Sequence, residues 1–114
     1  MNGTTWMAKH RFARIAPRKV QLLASLIRGR DCEEAMDQLR FCSKRGAWFL
    51  RHVLKSAMVN ADEAEADMRL LYVKSACVNC GPVYKRWQPK DRGRAHPILR
   101  RTSHIVVEVA EKAG

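Results

Sequence analysis

A basic stretch in the C-terminal third of the sequence, residues 81–101, holds the residue types best suited to binding chemistry. It carries seven lysines or arginines and one acid, Asp91. Lysine and arginine neutralise phosphates and release the counterions that surround nucleic acid, which gives affinity without a choice of base sequence. No periodic apolar face accompanies the charge, so the stretch cannot pack a core of its own. The composition therefore predicts contact with an external polyanion.

Two aromatic residues stand among these cations. Tyr84 and Trp87 offer flat apolar faces on which an unpaired base can stack. The alternative is a solvated, disordered loop with an incidental tryptophan, but charge alone does not call for Trp87. No segment that reads as an exposed helix carries the Asn, Gln and Arg set of a DNA major-groove reader. The stretch therefore favours RNA over DNA.

The chain as a whole carries a formal charge of +11, from 22 basic and 11 acidic residues among 114. This excess favours nucleic acid, an anionic membrane surface or an acidic protein as partner. Eight of the acids lie within residues 31–67, so the N-terminal and C-terminal regions are more basic than the mean. No run of about 18 apolar residues exists to span a membrane, and the opening residues lack the order of a signal peptide. We expect one intracellular domain and no membrane partner.

The Cys-x-x-Cys at Cys77 and Cys80 invites a metal or redox interpretation. A zinc site would need a second pair of cysteines with similar spacing, which Cys32 and Cys42 do not supply. In an extended strand Cys77 and Cys80 also point to opposite faces. We interpret the cysteines as small buried residues with free thiols, and we expect no metal and no cofactor.

The histidines give no sign of catalysis. They are far apart, and no serine, cysteine or carboxylate has the spacing of a triad: His10, His52, His96 and His104. Acid pairs such as Glu33 and Glu34 are typical of solvated faces, and no glycine-rich phosphate loop is present. We expect that the protein is not an enzyme, and that His104, on an outward strand face near Arg100 and Arg101, contacts RNA or solvent.

Three helices are predicted from Pro17 to about Ala61. Pro17 suits the first position of a helix, and Gly29 suits the left-handed position after its end. The apolar residues of this helix recur at helical spacing: Val20, Leu23, Ala24 and Ile27. Asp31, with Glu34 three residues on, predicts a capping box for a second helix. Ser43 is expected to cap a third, longer helix, whose end should fray in the acidic run at 62–67 because acids oppose the macrodipole there.

The period then changes from helical to alternating, which predicts strands. Leu71, Val73 and Cys77 are expected on one side of the first, with Leu70, Tyr72 and Lys74 on the other. The last strand should bury one face and expose the other, with Ile105, Val107 and Val109 facing one way and His104, Val106 and Glu108 the other. Residues 7–14 are expected to form an extended edge segment. We predict an α+β fold with three helices packed on a small antiparallel sheet and a long extended β-hairpin that projects from the body. If the two strands only flank the basic stretch, the loop between them is far longer than is usual in hairpins.

The third helix carries one ambiguous set of side chains, Trp48, Phe49 and Val53. Core packing is the interpretation we prefer. The alternative is a stripe that packs on a neighbouring protein, and the sequence leaves it open.

Several segments of the sequence match one family. They are residues 8–11, 16–29, 55–61, 81–82, 93–95 and 98–105, and the most specific is Arg-Arg-Thr-Ser-His-Ile at 100–105. Together they resemble the uL22 family of large-subunit ribosomal proteins, the L22 of bacteria, from about residue 8 to residue 109. The resemblance implies a single domain over 1–114, with a globular body at about 7–80 and 98–110 and an extended hairpin tip at about 81–97.

The resemblance also implies a place in the ribosome. The body would lie on the outer face of the large subunit, beside the end of the nascent-peptide tunnel, while the hairpin threads through ribosomal RNA and forms part of the tunnel wall. Members bind this RNA early in assembly, and changes at the hairpin tip alter the response to macrolides. Expected partners are large-subunit rRNA, neighbouring large-subunit proteins and the nascent peptide, with no homo-oligomer. A cytoplasmic, bacterial location is expected, and an organellar source stays open.

The combined expectations name two sets of residues. The RNA-binding set is Lys9, His10, Arg11, Arg14, Arg18, Lys19, Lys85, Arg86, Trp87, Lys90, Arg92, Arg94, Arg100, Arg101 and His104. The tip nearest the tunnel lumen is Tyr84, Lys85, Arg86, Trp87 and Gln88.

Two departures from the family pattern concern the hairpin. Lys90-Asp91 stands where the family usually has arginine and a small residue, and Cys77 to Cys80 replaces an apolar residue and acids.

The runner-up function is a free-standing basic nucleic-acid-binding protein or RNA chaperone with the same fold.

Overall fold

Three helices and a three-stranded antiparallel sheet form the part of the chain that the computed structural model describes, residues 5–90 and 94–112, with side chains for 5–82 and 101–112. In chain order the elements are β1 (Thr5–Ala13), α1 (Pro17–Ile27), α2 (Cys32–Arg40), α3 (Arg45–Glu63), a 3₁₀ turn (Met68–Leu70), β2 (Leu71–Lys90) and β3 (Arg94–Glu111). This confirms the predicted α+β class. Within the described residues, no helix is both long enough and apolar enough to cross a membrane.

The sheet is built around β3, which lies between β1 and β2 and is antiparallel to both. Pairing of β2 with β3 runs from Leu71 opposite Glu111 to Lys90 opposite Arg94. The predicted long hairpin is therefore confirmed, and the basic stretch belongs largely to its paired strands rather than to a loop that the strands only flank. The described molecule extends 66 × 24 × 19 Å, as expected for a body with a projecting hairpin.

A bulge in β2 corrects the predicted strand faces. Val73 lies opposite Val109 and Ser75 lies opposite Glu108, so Lys74 is the extra residue. A bulge of one residue exchanges the two faces of the strand beyond it. Leu71 and Val73 are buried as predicted, but after the bulge Ala76 and Val78 are buried and Cys77 is exposed.

The core lies between the helices and the inner face of the sheet. The inward residues of β3, Ile105, Val107 and Val109, are fully buried, which confirms the predicted alternation. The same core includes apolar side chains from all three helices, the largest of which are fully buried: Ile27, Leu39, Leu50 and Leu54. Ser103 of the same strand is polar and fully buried, and its hydroxyl donates a hydrogen bond to the Ile15 carbonyl at 2.6 Å.

The free edge of β2 is covered by α1. This helix begins at Pro17, and Gly29 follows it with a φ of 81°, the left-handed conformation expected there. Gly29 N donates to the Val73 carbonyl at 2.8 Å, and the Arg28 guanidinium donates to the Ala76 carbonyl at 2.8 Å. An exposed strand edge would otherwise offer these carbonyls to another chain. The contacts therefore fix α1 along the root of the hairpin.

The caps of α2 and α3 differ from the predictions. Asp31 occupies the N-cap of α2, but its side chain makes no capping bond and lies against Lys112, while Glu34 accepts from Arg30 at 2.6 Å. The predicted capping box is therefore wrong, because both carboxylates have cationic partners. The N-cap of α3 is Lys44 rather than Ser43. The helix ends at Glu63, inside the acidic run as predicted.

Helices α1 and α3 approach each other closely at Gly46. A Cβ at this position would lie 3.1 Å from both Leu23 Cδ1 and the Lys19 carbonyl oxygen. Gly46 is buried and belongs to the first turn of α3, and Lys19 belongs to the first turn of α1. The missing side chain therefore allows the N-terminal ends of the two helices to meet.

Candidate nucleic-acid interface

The outer face of the sheet brings together three of the predicted RNA-binding residues. Lys9 is exposed and lies opposite Val106, and Arg11 is exposed in a bulge of β1 that faces His104. Next to Arg11, Phe12 adopts a φ of 58°, and its N–H donates to His104 Nδ1 at 3.1 Å. The Phe12 and His104 rings also meet edge to face at 4.9 Å. His104 therefore lies on the outward face as predicted and also holds the bulge in place.

His10 is separated from its neighbours in the sequence. It lies on the opposite side of β1 from Lys9, with its ring 5.4 Å from the ring of Phe49 on α3. The structure therefore does not place His10 with Lys9 and Arg11, although the three are consecutive in the sequence. Strand alternation is the reason, since successive side chains point to opposite faces.

A second group of cations lies where α1 and α3 meet. Arg14, Arg18 and Lys19 are exposed, as the RNA-binding prediction requires. Lys44 and Arg45, which the sequence analysis did not assign to the site, are also exposed and begin α3 beside the Gly46 contact. The sequence signal that could have found them is α3 itself, which carries no acid before Asp62.

The helix ends strengthen the positive potential of this group. Neither α1 nor α3 has an acidic residue in its first turn. The N-terminus of a helix carries roughly half a positive charge and presents unpaired N–H groups, so it attracts anions. Two such ends together with Lys19, Lys44 and Arg45 make this corner of the body suited to phosphate.

The acidic residues concentrate on α2 and its surroundings. A groove of about 790 Å³ is lined there by apolar and acidic side chains, among them Leu26, Asp31, Glu33, Glu34, Asp37 and Phe41. Asp31, Glu34 and Asp37 form ion pairs with Lys112, Arg30 and Arg40 respectively. None of the predicted RNA-binding residues lies on α2, and this helix is not included in the candidate interface.

The root of the hairpin has a specific packing arrangement. Gly81 and Pro82 together lie opposite Thr102, which makes a second bulge in β2. Thr102 is buried and its hydroxyl donates to the Pro82 carbonyl at 2.7 Å. A Cβ on Gly81 would collide with Thr102 Oγ1, so only glycine fits without a shift. Arg101, next to this bulge, is exposed as predicted.

Beyond the root, the backbone places the remaining predicted residues on two paired strands. Lys85, Arg86, Trp87 and Lys90 lie on β2, and Arg94 and Arg100 lie on β3. The register puts Tyr84 opposite Arg100, Trp87 opposite Pro97 and Lys90 opposite Arg94. Eight residues from 83 to 90 at about 3.3 Å each span roughly 26 Å. Cations therefore follow both strands outward, while Arg92 and Asp91 lie outside the described residues.

The cysteines depart from the expectation of burial. Cys77 and Cys80 are both exposed, because the bulge at Lys74 turns Cys77 outward. Three strand residues span roughly 10 Å, too far for these two thiols to share one bond or one ion. Cys32 is buried, and burial, aided by the nearby Asp31 carboxylate, raises the pKa of its thiol to about 12. Within the described part of the chain, no group of three or more His, Cys, Asp or Glu residues is placed to hold a metal.

The ambiguous set on α3 divides. Phe49 and Val53 are buried in the core, which confirms the preferred interpretation for these two. Trp48 is 51% exposed, so the core prediction is wrong for this residue. Its neighbour in sequence takes the inward position because adjacent helix residues differ by about 100° in direction.

Comparison with known proteins agrees with the geometry. The family model described as "Ribosomal protein L22p/L17e" matches residues 8–110. The large ribosomal subunit protein uL22 of Thermus thermophilus is 50% identical over 105 residues, which cover 91% of this chain and 93% of that protein. The protein of the same name from Sorangium cellulosum strain So ce56 is 47% identical over 103 residues, which cover 89% and 92% respectively. With a match over nearly its whole length, the chain belongs to the L22p/L17e family of ribosomal proteins, that of uL22.

Proposed function

We propose that this protein is a structural constituent of the large ribosomal subunit that binds large-subunit rRNA and has no catalytic role. The observation that carries the proposal is the hairpin. Its strands stay paired as far as Lys90 opposite Arg94, and the stretch at 81–101 is basic and lacks an apolar face of its own. The relatives from Thermus thermophilus and Sorangium cellulosum, named as large ribosomal subunit proteins, support the same assignment.

A projecting hairpin needs hydrogen-bond partners for its edges, packing for its faces and countercharge for its cations. An isolated two-stranded hairpin is at best marginally stable in water, and its outer edges offer unpaired N–H and C=O groups. The repulsion between its cations adds to this cost. A surrounding shell of rRNA supplies hydrogen-bond partners, packing and countercharge together, and thus stabilises the extended form.

The body contributes a second set of contacts. Lys9 and Arg11 on the outer sheet face, and Arg18, Lys19 and Lys44 at the helix ends, are exposed cations that bind phosphates of the same RNA. Anchoring of the body in this way supports assembly of the subunit, because the hairpin is then held in place while RNA folds around it.

The tip of the hairpin has a further proposed role. Residues 84–88, with Trp87 among them, line the nascent-peptide exit tunnel and meet the passing peptide, and the body contacts neighbouring large-subunit proteins. This part of the proposal is supported by family membership and by the direction of the strands away from the body. The place of work is then the cytoplasm of a bacterium.

Sedimentation of a cell extract tests the proposal. The epitope-tagged full chain is expected to migrate with free large subunits and with whole ribosomes in a sucrose gradient, and to stay there in moderate salt. A dominant ribosome-free pool would contradict the proposal and would favour the free-standing RNA chaperone.

A further inference from the structure

An aromatic surface on α3 is not used by the contacts described above. Trp48 is half exposed, and its ring lies 4.4 Å from the ring of His52 and 5.0 Å from that of Phe49. Phe49 in turn receives the Arg45 guanidinium over its face at 5.6 Å and the His10 ring at 5.4 Å. We call these five residues the α3 aromatic surface.

The Trp48 ring is held in place before any partner binds. Arg45, Trp48 and His52 follow one another at i, i+3 and i+7, so they form one row along the helix. Phe49 is anchored in the core beneath this row, and His52 packs against the indole from the next turn. A ring fixed in this way loses little rotamer freedom when a second flat group stacks on it.

The charges around Trp48 select the class of partner. Lys44, Arg45 and Lys55 are exposed, and no acid occurs in α3 before Asp62. The centre of a protein–protein interface is depleted in charged residues, whereas single-stranded nucleic acid is bound by aromatic rings set among cations. The surface also lies beside the cations at the helix ends, because Arg45 belongs to the first turn of α3, whose Gly46 packs against Lys19 of α1.

We propose that Trp48 is a stacking platform for an unpaired base of large-subunit rRNA, with Lys44 and Arg45 neutralising the phosphates beside that nucleotide. His52 supports the indole from the adjacent turn of the helix. The inference rests on the proposed function, since it names a nucleotide-binding position within the same RNA contact. It assigns to RNA a residue that the family pattern of cations does not predict.

Photo-crosslinking in intact subunits tests the partner class. Benzoylphenylalanine replaces Trp48 in the full chain, large subunits are purified, irradiated and digested, and the crosslinked product is identified by mass spectrometry and primer extension. A crosslink to one or a few unpaired rRNA nucleotides is expected. A crosslink to a protein, or none from subunits that contain the chain, would overturn the inference and leave the proposed function standing. Absence of the wild-type chain from large subunits would contradict the proposed function itself.

Binding of purified variants to full-length large-subunit rRNA tests the stacking. Trp48→Leu is expected to weaken binding roughly 5- to 150-fold, while Trp48→Phe keeps most of the affinity, because stacking needs a flat ring. Phe41→Ala is the matched control, since Phe41 is an 86% exposed aromatic residue on the acidic side and should change nothing. Equal affinity of Trp48→Leu and wild type would contradict the proposal.

The salt dependence of the same titrations separates stacking from phosphate contact. Arg45→Gln is expected to lower the slope of log K against log salt by about 0.7–0.9, the contribution of one phosphate, whereas Trp48→Leu lowers affinity at unchanged slope. Thermal melts of each variant identify any loss of folding. A change of slope in Trp48→Leu without a change in melting would overturn the assignment of Trp48 as a stacking residue.

Discussion

At the scale of single residues, the environment of each side chain decides what it can do, and the four cysteines illustrate this. The Cys-x-x-Cys spacing suggests a paired site, but Cys77 and Cys80 lie apart on an extended strand and both are exposed to solvent. Cys32, which no motif singles out, is the one whose chemistry is altered, because burial raises the pKa of its thiol to about 12. Reactivity therefore follows exposure and thiolate fraction and not sequence motif.

Thiol labelling checks this distribution. In the native protein at pH 8, a maleimide reagent is expected to modify Cys77 and Cys80 rapidly and to leave Cys32 unmodified, because a thiol with a pKa near 12 is almost wholly protonated there. Peptide mapping identifies the sites, and labelling in urea provides the control in which Cys32 reacts. Native labelling of Cys32 at the rate of Cys77 would contradict the described core.

Leu54→Asp tests the core at the same scale. Leu54 is fully buried on α3, so an aspartate there places a charge without a partner among apolar side chains. We expect a loss of at least about 3–5 kcal/mol in the free energy of unfolding, or no folded protein. Leu54→Met keeps volume and apolarity and should cost less than about 1.5 kcal/mol. Urea denaturation followed by circular dichroism compares the two, and similar stabilities would contradict the described packing.

At the scale of elements, the residues that begin and end helices are reliable signals in the sequence, whereas the bulges in the strands are not predicted. Pro17 begins α1 and Gly29 follows its end, as predicted. Few other residues supply the fixed φ of proline or readily adopt the left-handed φ of this glycine. The bulge at Lys74 has no residue signature, and it reversed the predicted face of Cys77. The long hairpin is predicted, whereas the register in which β2 pairs with β3 is not, because the basic stretch lacks the alternation that marks a half-buried strand.

The root of the hairpin is the element on which its direction depends. Gly81→Ala introduces a methyl group against Thr102 Oγ1 and is expected to cost about 1–3 kcal/mol in the free energy of unfolding. Thr102→Ala removes that oxygen, together with its bond to the Pro82 carbonyl. The double variant should therefore lose less than the sum of the two single losses. Strict additivity in urea denaturation would contradict the contact.

The hairpin tip is expected to be separable from the stability of the body. Deletion of residues 84–87 removes no residue of the described core, so the free energy of unfolding of the rest should change by less than about 0.5 kcal/mol. The shortened chain should still enter large subunits, while macrolide sensitivity or peptide-dependent stalling changes. Gradient fractions measure incorporation into large subunits, and growth on a macrolide measures sensitivity. Large subunits that lack the shortened chain would show that the tip is required for docking and would contradict this prediction.

At the scale of the whole molecule, charge is segregated in a way that fits one orientation on RNA. Exposed cations occupy the outer sheet face and the meeting ends of α1 and α3, and further cations lie along the hairpin strands, whereas the paired acids lie around α2. The sequence alone revealed the excess of charge and the family resemblance. It could not reveal Lys44, Arg45 and Trp48 as parts of one surface, because their proximity to Lys19 and His10 depends on tertiary contacts at Gly46 and Phe49.

We propose that the hairpin of this protein lies within the rRNA of the large subunit. The most direct measurement is crosslinking from a photoreactive residue at position 87 in purified, intact large subunits, with the same residue at position 41 on the acidic side as the control. We expect rRNA crosslinks from position 87 and none from position 41. Subunits that contain the chain but yield no RNA crosslink from position 87 would contradict it.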